Sequence, residues 1–201
     1  VLHQGSPREV IEAYNAWTFE REKHNAARPA PAALGDLKPI SGNGRVSLES
    51  VRLRDASGAP VSGVYTGEAL QIELDYRADL PPDASVTCFV GLVRAADNQW
   101  VGEISSIHYY DHEANEVRRE NIRLFAKGTI IVKMNALLLL NNHYNLWIVI
   151  GRGSETYCEY RGVSPFFVAR RAHVFDRAPV FWQPCTFRSI AREKSIPLAG
   201  E

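Results

Sequence analysis

Leu70-Gln71-Ile72-Glu73-Leu74-Asp75-Tyr76-Arg77 decides the fold class, because apolar and polar residues alternate strictly along it. A period of two places Leu70, Ile72, Leu74 and Tyr76 on one face of a strand and the polar residues on the other, as in a half-buried sheet. Pro81-Pro82-Asp83 closes the strand. Upstream, Val46 and Leu48 alternate, then Val51 and Leu53 after a change of phase that reads as an irregularity. Asp55-Ala-Ser-Gly58 supplies a turn between strands. Downstream, Thr87 to Arg94, Trp100 to Ile107, Ile130-Val132-Met134, Tyr144-Leu146-Ile148-Ile150 and Phe166-Val168 read as further strands, with turns at Asp97-Asn98 and Asn141-Asn142. Many short strands with no long helical pattern between them predict an all-β fold, an immunoglobulin-like antiparallel β-sandwich.

The flanks read differently. Ser6, Pro7 and Glu9 have the spacing of a helix cap, a first-turn proline and a capping box, so residues 7 to about 24 are expected to be helical. The expected organisation is a helical segment over 1–25, an Ala/Pro/Gly-rich linker over 26–44, the sandwich over 45–170 and a C-terminal extension over 171–201. Phe175, Phe181, Trp182 and Phe187 make that extension too apolar for a free tail, so it is expected to pack on the sandwich or on a second copy. A chain that opens on Val1 without methionine is expected to continue upstream.

Composition narrows the partner. Lys plus Arg and Asp plus Glu both number 23. That balance lacks the excess positive charge with which proteins displace counterions from nucleic acid, so none is expected as partner. Cys88, Cys158 and Cys185 form no C-x-x-C pair, and a reducing cytosol is the simplest setting. No apolar run approaches the ~20 residues that span a bilayer. His108 and His112 are four apart, but on strand and loop that spacing gathers no ligands, so no metal and no cofactor are expected.

Gly5-Ser-Pro-Arg-Glu-Val-Ile-Glu-Ala-Tyr14 resembles the stretch that ends an ABC-transporter ATPase domain. After it come Val51-Arg-Leu-Arg-Asp-Ala-Ser-Gly58, Thr66-Gly-Glu-Ala-Leu-Gln-Ile72, Phe89 to Asp97 and Leu138-Leu-Leu-Asn-Asn-His-Tyr-Asn-Leu146. In that order they are similar to the C-terminal carbohydrate-binding domain of O-antigen ABC exporter ATPases, the Wzt type, over roughly residues 5 to 168. The sequence departs from the family at Asn141-Asn142, where Pro-Gly is usual, and at Gly91, where a branched apolar residue is usual. The resemblance implies a non-catalytic domain that binds the non-reducing, often modified, end of an O-antigen polysaccharide at the cytoplasmic face of the inner membrane. It also implies a homodimer and, through an ATPase domain, a membrane-embedded transporter subunit as partner. No Gly-x-x-x-x-Gly-Lys-Ser/Thr loop is present, so nucleotide is not expected to bind to this chain.

Saccharide recognition needs aromatic faces for the C–H side of a pyranose and planar polar groups for its hydroxyls. If Tyr144, Leu146, Ile148 and Ile150 face the core, then Asn145 and Trp147 face outward. Taking Phe89, Gly91 and Val93 as inward makes Arg94 outward, where it would pair with an acidic sugar or phosphate cap. Trp100, Glu103, His108 and Tyr109 form a second candidate cluster near a strand end. The competing explanation for Trp147 is packing under a loop or partner, and Tyr157, Tyr160 and Arg161 read as a structural loop cluster. A protein-docking or dimerisation module without glycan ligand is the alternative function. Glycoside hydrolysis is weaker, because no motif selects the two carboxylates it requires.

Overall fold

Residues Leu70–Ala78 sit at the centre of a three-stranded sheet, flanked on both sides by antiparallel neighbours. The computed structural model describes residues 38–81, 84–111, 115–119 and 121–169, with scattered positions between 4 and 21. Eleven strands follow in chain order: β1 Val46–Arg54, β2 Gly63–Tyr65, β3 Leu70–Ala78, β4 Ser85–Arg94, β5 Gln99–Ser105 and β6 Tyr109–Asp111. Then come β7 Glu116–Arg118, β8 Ile122–Arg123, β9 Lys127–Met134, β10 Asn142–Arg152 and β11 Glu155–Ala169. The smaller sheet runs β1-β3-β9 and the larger β2-β11-β10-β4-β5, with β8 paired to β4; β6 and β7 form a separate hairpin.

The alternation expected of β3 is the one observed: Leu70, Ile72, Leu74 and Tyr76 are buried. The change of phase in β1 is a bulge, where the register steps from Leu48 opposite Tyr76 to Ser50 opposite Asp75. One extra residue, Glu49, restores the inward phase, so Val46, Leu48, Val51 and Leu53 are all buried. In β10, Tyr144, Leu146, Ile148 and Ile150 face the same core. Both sheets contribute to a single hydrophobic cluster, the mark of a sandwich. Tyr160 of β11 ties the layers together by accepting the Leu48 backbone N–H at 3.2 Å.

Four expectations are corrected. In β4 the inward residues are Val86, Cys88, Val90 and Leu92, not Phe89, Gly91 and Val93. Ile148 lies opposite Val90 and Trp147 opposite Gly91, and directly paired residues share a face. Tyr157, Tyr160 and Arg161 lie in the 15-residue strand β11, not in a loop, and both tyrosines are core residues. The sheet is not wholly antiparallel, because β2 runs parallel to the end of β11. The N-terminal helix is not supported as an element. Among the scattered residues described there, Ser6 N–H donates to Glu9 Oε2 at 2.7 Å and Val10 N–H to the Ser6 carbonyl at 3.0 Å.

The C-terminal extension over 171–201 and residues 26–37 of the expected linker lie outside the described residues. The linker's last part is fixed to the outer edge of β11. Ile40 N–H donates to the Glu159 carbonyl at 2.8 Å, Asn43 N–H to Thr156 at 3.1 Å and Gly44 N–H to Tyr157 at 3.0 Å. Among the described residues no helix is long and apolar enough to cross a membrane.

Candidate functional site

The two outward faces differ in chemistry. On the smaller sheet, Glu73 pairs with Arg52 at 3.0 Å and Arg54 at 2.7 Å, while Asp75 accepts from Ser50 at 2.5 Å and Thr129 at 2.7 Å. Those partners hold both carboxyls below the usual carboxylate range against the opposing effect of desolvation. Such a mutually satisfied face is a solvated surface. The larger sheet instead presents aromatics.

Strand pairing builds that aromatic face. Glu103, Gly91, Trp147 and Arg161 stand side by side on β5, β4, β10 and β11, because Gly91 is opposite Glu103 and Trp147, and Trp147 is opposite Arg161. One pair along lie Trp100, Val93 and Asn145, and on the other side Phe89 and Val149. Gly91 leaves a hole in this face, and two indoles close over it: a Cβ there would lie 3.4 Å from Trp147 Cβ and 3.6 Å from Trp100 Nε1. The ring centroids of Trp100 and Trp147 are 5.0 Å apart at 66°, and Phe89 meets Trp100 edge-on at 5.4 Å. Gly91, expected to face inward, therefore leaves its gap in the outer face, where tryptophan covers it.

Beside the indoles is an open recess of about 330 Å³, lined by Val93, Asn98, Trp100, Asn145, Trp147, Arg161 and Gly162. Its volume is at the lower end of small-ligand sites. Its rim comes from two backbone irregularities, Asn98 at φ 55° in the β4–β5 turn and Gly162 at φ 70° in β11; asparagine and glycine are the residues that adopt this region readily. The Arg161 guanidinium lies 4.3 Å from the Trp147 ring centroid, a cation–π contact. Glu159 anchors both: its Oε1 accepts Trp147 Nε1 at 2.9 Å and Arg161 Nη2 at 2.9 Å, and its Oε2 accepts Ser41 Oγ at 2.5 Å. The Ser41 hydroxyl first, then Arg161, hold the Glu159 carboxyl below the usual range against desolvation.

Of the seven residues singled out from sequence, Trp100, Asn145 and Trp147 line the recess. Glu103 shares their face, exposed, two strands away from Trp147 across Gly91. Arg94 does not: it is paired with Tyr144, on the inward side, at the end of its strand. Its guanidinium is bound to Asp97 at 2.6 and 2.9 Å and to the Gln99 side chain, which fixes the turn carrying Asn98. Arg94 is thus a turn brace, and the expected outward cation is Arg161 instead. His108 and Tyr109 follow the far end of β5; Ser105 there is about 17 Å along the strand from Trp100. They belong to a different part of the surface.

Arg161, Glu159, Phe89, Asn98 and Gly162 were not recognised as site residues from sequence. A signal existed for two of them, since Glu159 and Arg161 alternate with buried Cys158 and Tyr160. Among the described residues no three His, Cys, Asp or Glu side chains are grouped to hold a metal.

The described residues thus form a β-sandwich with an aromatic recess on one sheet face. Among solved structures, the C-terminal domain of Wzt has a similar fold, with a TM-score of 0.55 and 15% identity over 84% of this chain and 96% of that one. An immunoglobulin-like protein from Pseudomonas aeruginosa is matched over 67% of this chain and 99% of that one, at 11% identity and a TM-score of 0.27, too low to bear on the fold. No family model matches the sequence, and no curated protein matches it. The likeness to the Wzt domain is one of fold.

Proposed function

We propose that this chain is a non-catalytic carbohydrate-binding domain that recognises the non-reducing end of an O-antigen polysaccharide for export by an ABC transporter. The observation that carries the reading is the recess around Trp100 and Trp147, on the one sheet face that is aromatic rather than ion-paired. Trp100, 44% exposed, offers a ring surface to the C–H face of a pyranose. Asn98, Asn145 and Arg161 surround it with donors and acceptors for hydroxyls. The fold shared with the Wzt C-terminal domain supports this reading. An immunoglobulin-like classification, a homodimer, attachment to a transporter through an ATPase domain and a cytoplasmic setting at the inner membrane belong to the same proposal.

Arg161 in the recess is already matched by Glu159 and Arg94 by Asp97, which favours a neutral or hydroxyl-rich end over an anionic cap. Titration of the chain against the O-polysaccharide of its source strain, with and without the non-reducing end group, tests the proposal. Saturable binding that disappears with the end group is expected. Absence of binding to either form refutes it and favours the protein-docking module.

A further inference from the structure

Glu159 is more than a neighbour of the recess. Its carboxylate receives donors from three separated parts of the chain: the Trp147 indole of β10, the Arg161 guanidinium of its own strand, and the Ser41 hydroxyl of the segment that leads into the sandwich. Its backbone repeats the link, because Glu159 N–H donates to the Ser41 carbonyl at 3.0 Å while its own carbonyl accepts Ile40 N–H at 2.8 Å. With a side chain only 15% exposed, the carboxylate is partly withdrawn from water, which would otherwise compete for these donors. Asn43 extends the attachment by donating from its side chain to Glu155 Oε1 at 2.6 Å.

We infer that Glu159 is a positioning residue that couples the recess to residues 40–44: it sets the orientation of Trp147 and Arg161 while holding the incoming chain on the edge of β11. A ligand that moves the Trp147 indole or draws Arg161 away changes the acceptor offered to Ser41. Reciprocally, a pull on residues 40–44 changes the geometry of the recess, as linkage requires. The biological sense of the coupling rests on the recess being the glycan site, but the coupling itself is testable without ligand.

The test uses the whole chain and two readouts, the Trp147 indole N–H resonance, assigned with Trp147→Phe, and backbone amide exchange. Ser41→Ala is expected to shift the indole resonance and Ser41→Thr, which keeps the hydroxyl, to restore it. Trp147→Phe removes one donor to Glu159 and is expected to speed exchange of the Ile40, Asn43 and Gly44 amides roughly five- to tenfold. The Ile148 amide, in the core of the same strand, should keep its protection and so report intact folding. An unmoved indole resonance in Ser41→Ala overturns the coupling, as does wild-type exchange at residues 40–44 in Trp147→Phe. Failure of the glycan titration refutes the assignment of the recess without altering either readout.

Discussion

Trp100 and Trp147 meet over Gly91, their ring centroids 5.0 Å apart, on a sheet face where that position carries no side chain. The two rings play different parts. Trp147 is half-buried, hydrogen-bonded through its indole N–H and covered by Arg161. Trp100 is more exposed and spends its N–H on the Gly102 carbonyl at 2.6 Å, which fixes the ring while leaving its surface available.

Trp100→Ala is therefore expected to abolish glycan binding and to cost only ~1 kcal/mol of stability, the worth of an exposed aromatic contact. Trp147→Ala is expected to abolish binding too, but at ~2–4 kcal/mol, since it removes packing and one hydrogen bond to Glu159. Isothermal titration beside urea unfolding separates the two. Equal stability loss in both variants contradicts the division of labour.

Substitution at Gly91 tests the void beneath the rings. A single Cβ fits at ordinary contact distance, so Gly91→Ala is expected to change little. Gly91→Val adds two methyl groups where Trp147 and Trp100 already sit, and overpacking of this kind costs ~1–3 kcal/mol. The near-ultraviolet circular dichroism of the indole pair should collapse in Gly91→Val and persist in Gly91→Ala.

Tyr160→Phe probes the bond between the sheets. The ring volume is retained, but the Leu48 N–H loses its acceptor in the core. A buried unsatisfied donor costs ~1–3 kcal/mol, and a fall of that size in urea stability is expected with recess binding unchanged.

Acid stability follows from Glu159. Its folded-state pKa is depressed below the ordinary 4.5, first by Ser41 and then by Arg161. A depressed carboxyl contributes stability that is present above the unfolded value and lost as pH falls through the folded one. Stability measured in urea from pH 7 downward should hold to about pH 5 and then decline. In Glu159→Gln that decline should be shallower. An unchanged acid slope would place the responsible carboxylates elsewhere, such as in the Glu73–Asp75 network.

Local sequence carried the parity of β3 and β10 and even the bulge in β1, because in each strand apolar residues occupy one phase only. It could not orient β4, where Val86, Cys88, Val90 and Leu92 compete with Phe89 and Val93 and both phases are apolar. The tie is broken by pairing with β10, a contact more than 50 residues away in sequence. Strand β11 was hidden for another reason: positive φ at Gly162 and Ser164 interrupts its period, so it reads as a loop followed by a short strand. The site was legible in the same measure. Trp147 follows from parity within its own strand, whereas its neighbours Arg161, Gly91 and Trp100 are brought to it by register.

The parity of the larger sheet also separates two kinds of evolutionary constraint. Inward positions such as Val90, Leu146 and Ile148 answer to the packing of the opposite sheet, while Gly91, Asn145, Trp147 and Arg161 answer to neighbours on the outer face, Trp100 and Glu159 among them. Drift in the second set can reshape the recess one residue at a time without repacking the interior, and the Asn98 turn can change length independently of both. The same backbone is thereby a template whose outer surface can be rewritten while the interior that directs its folding stays untouched.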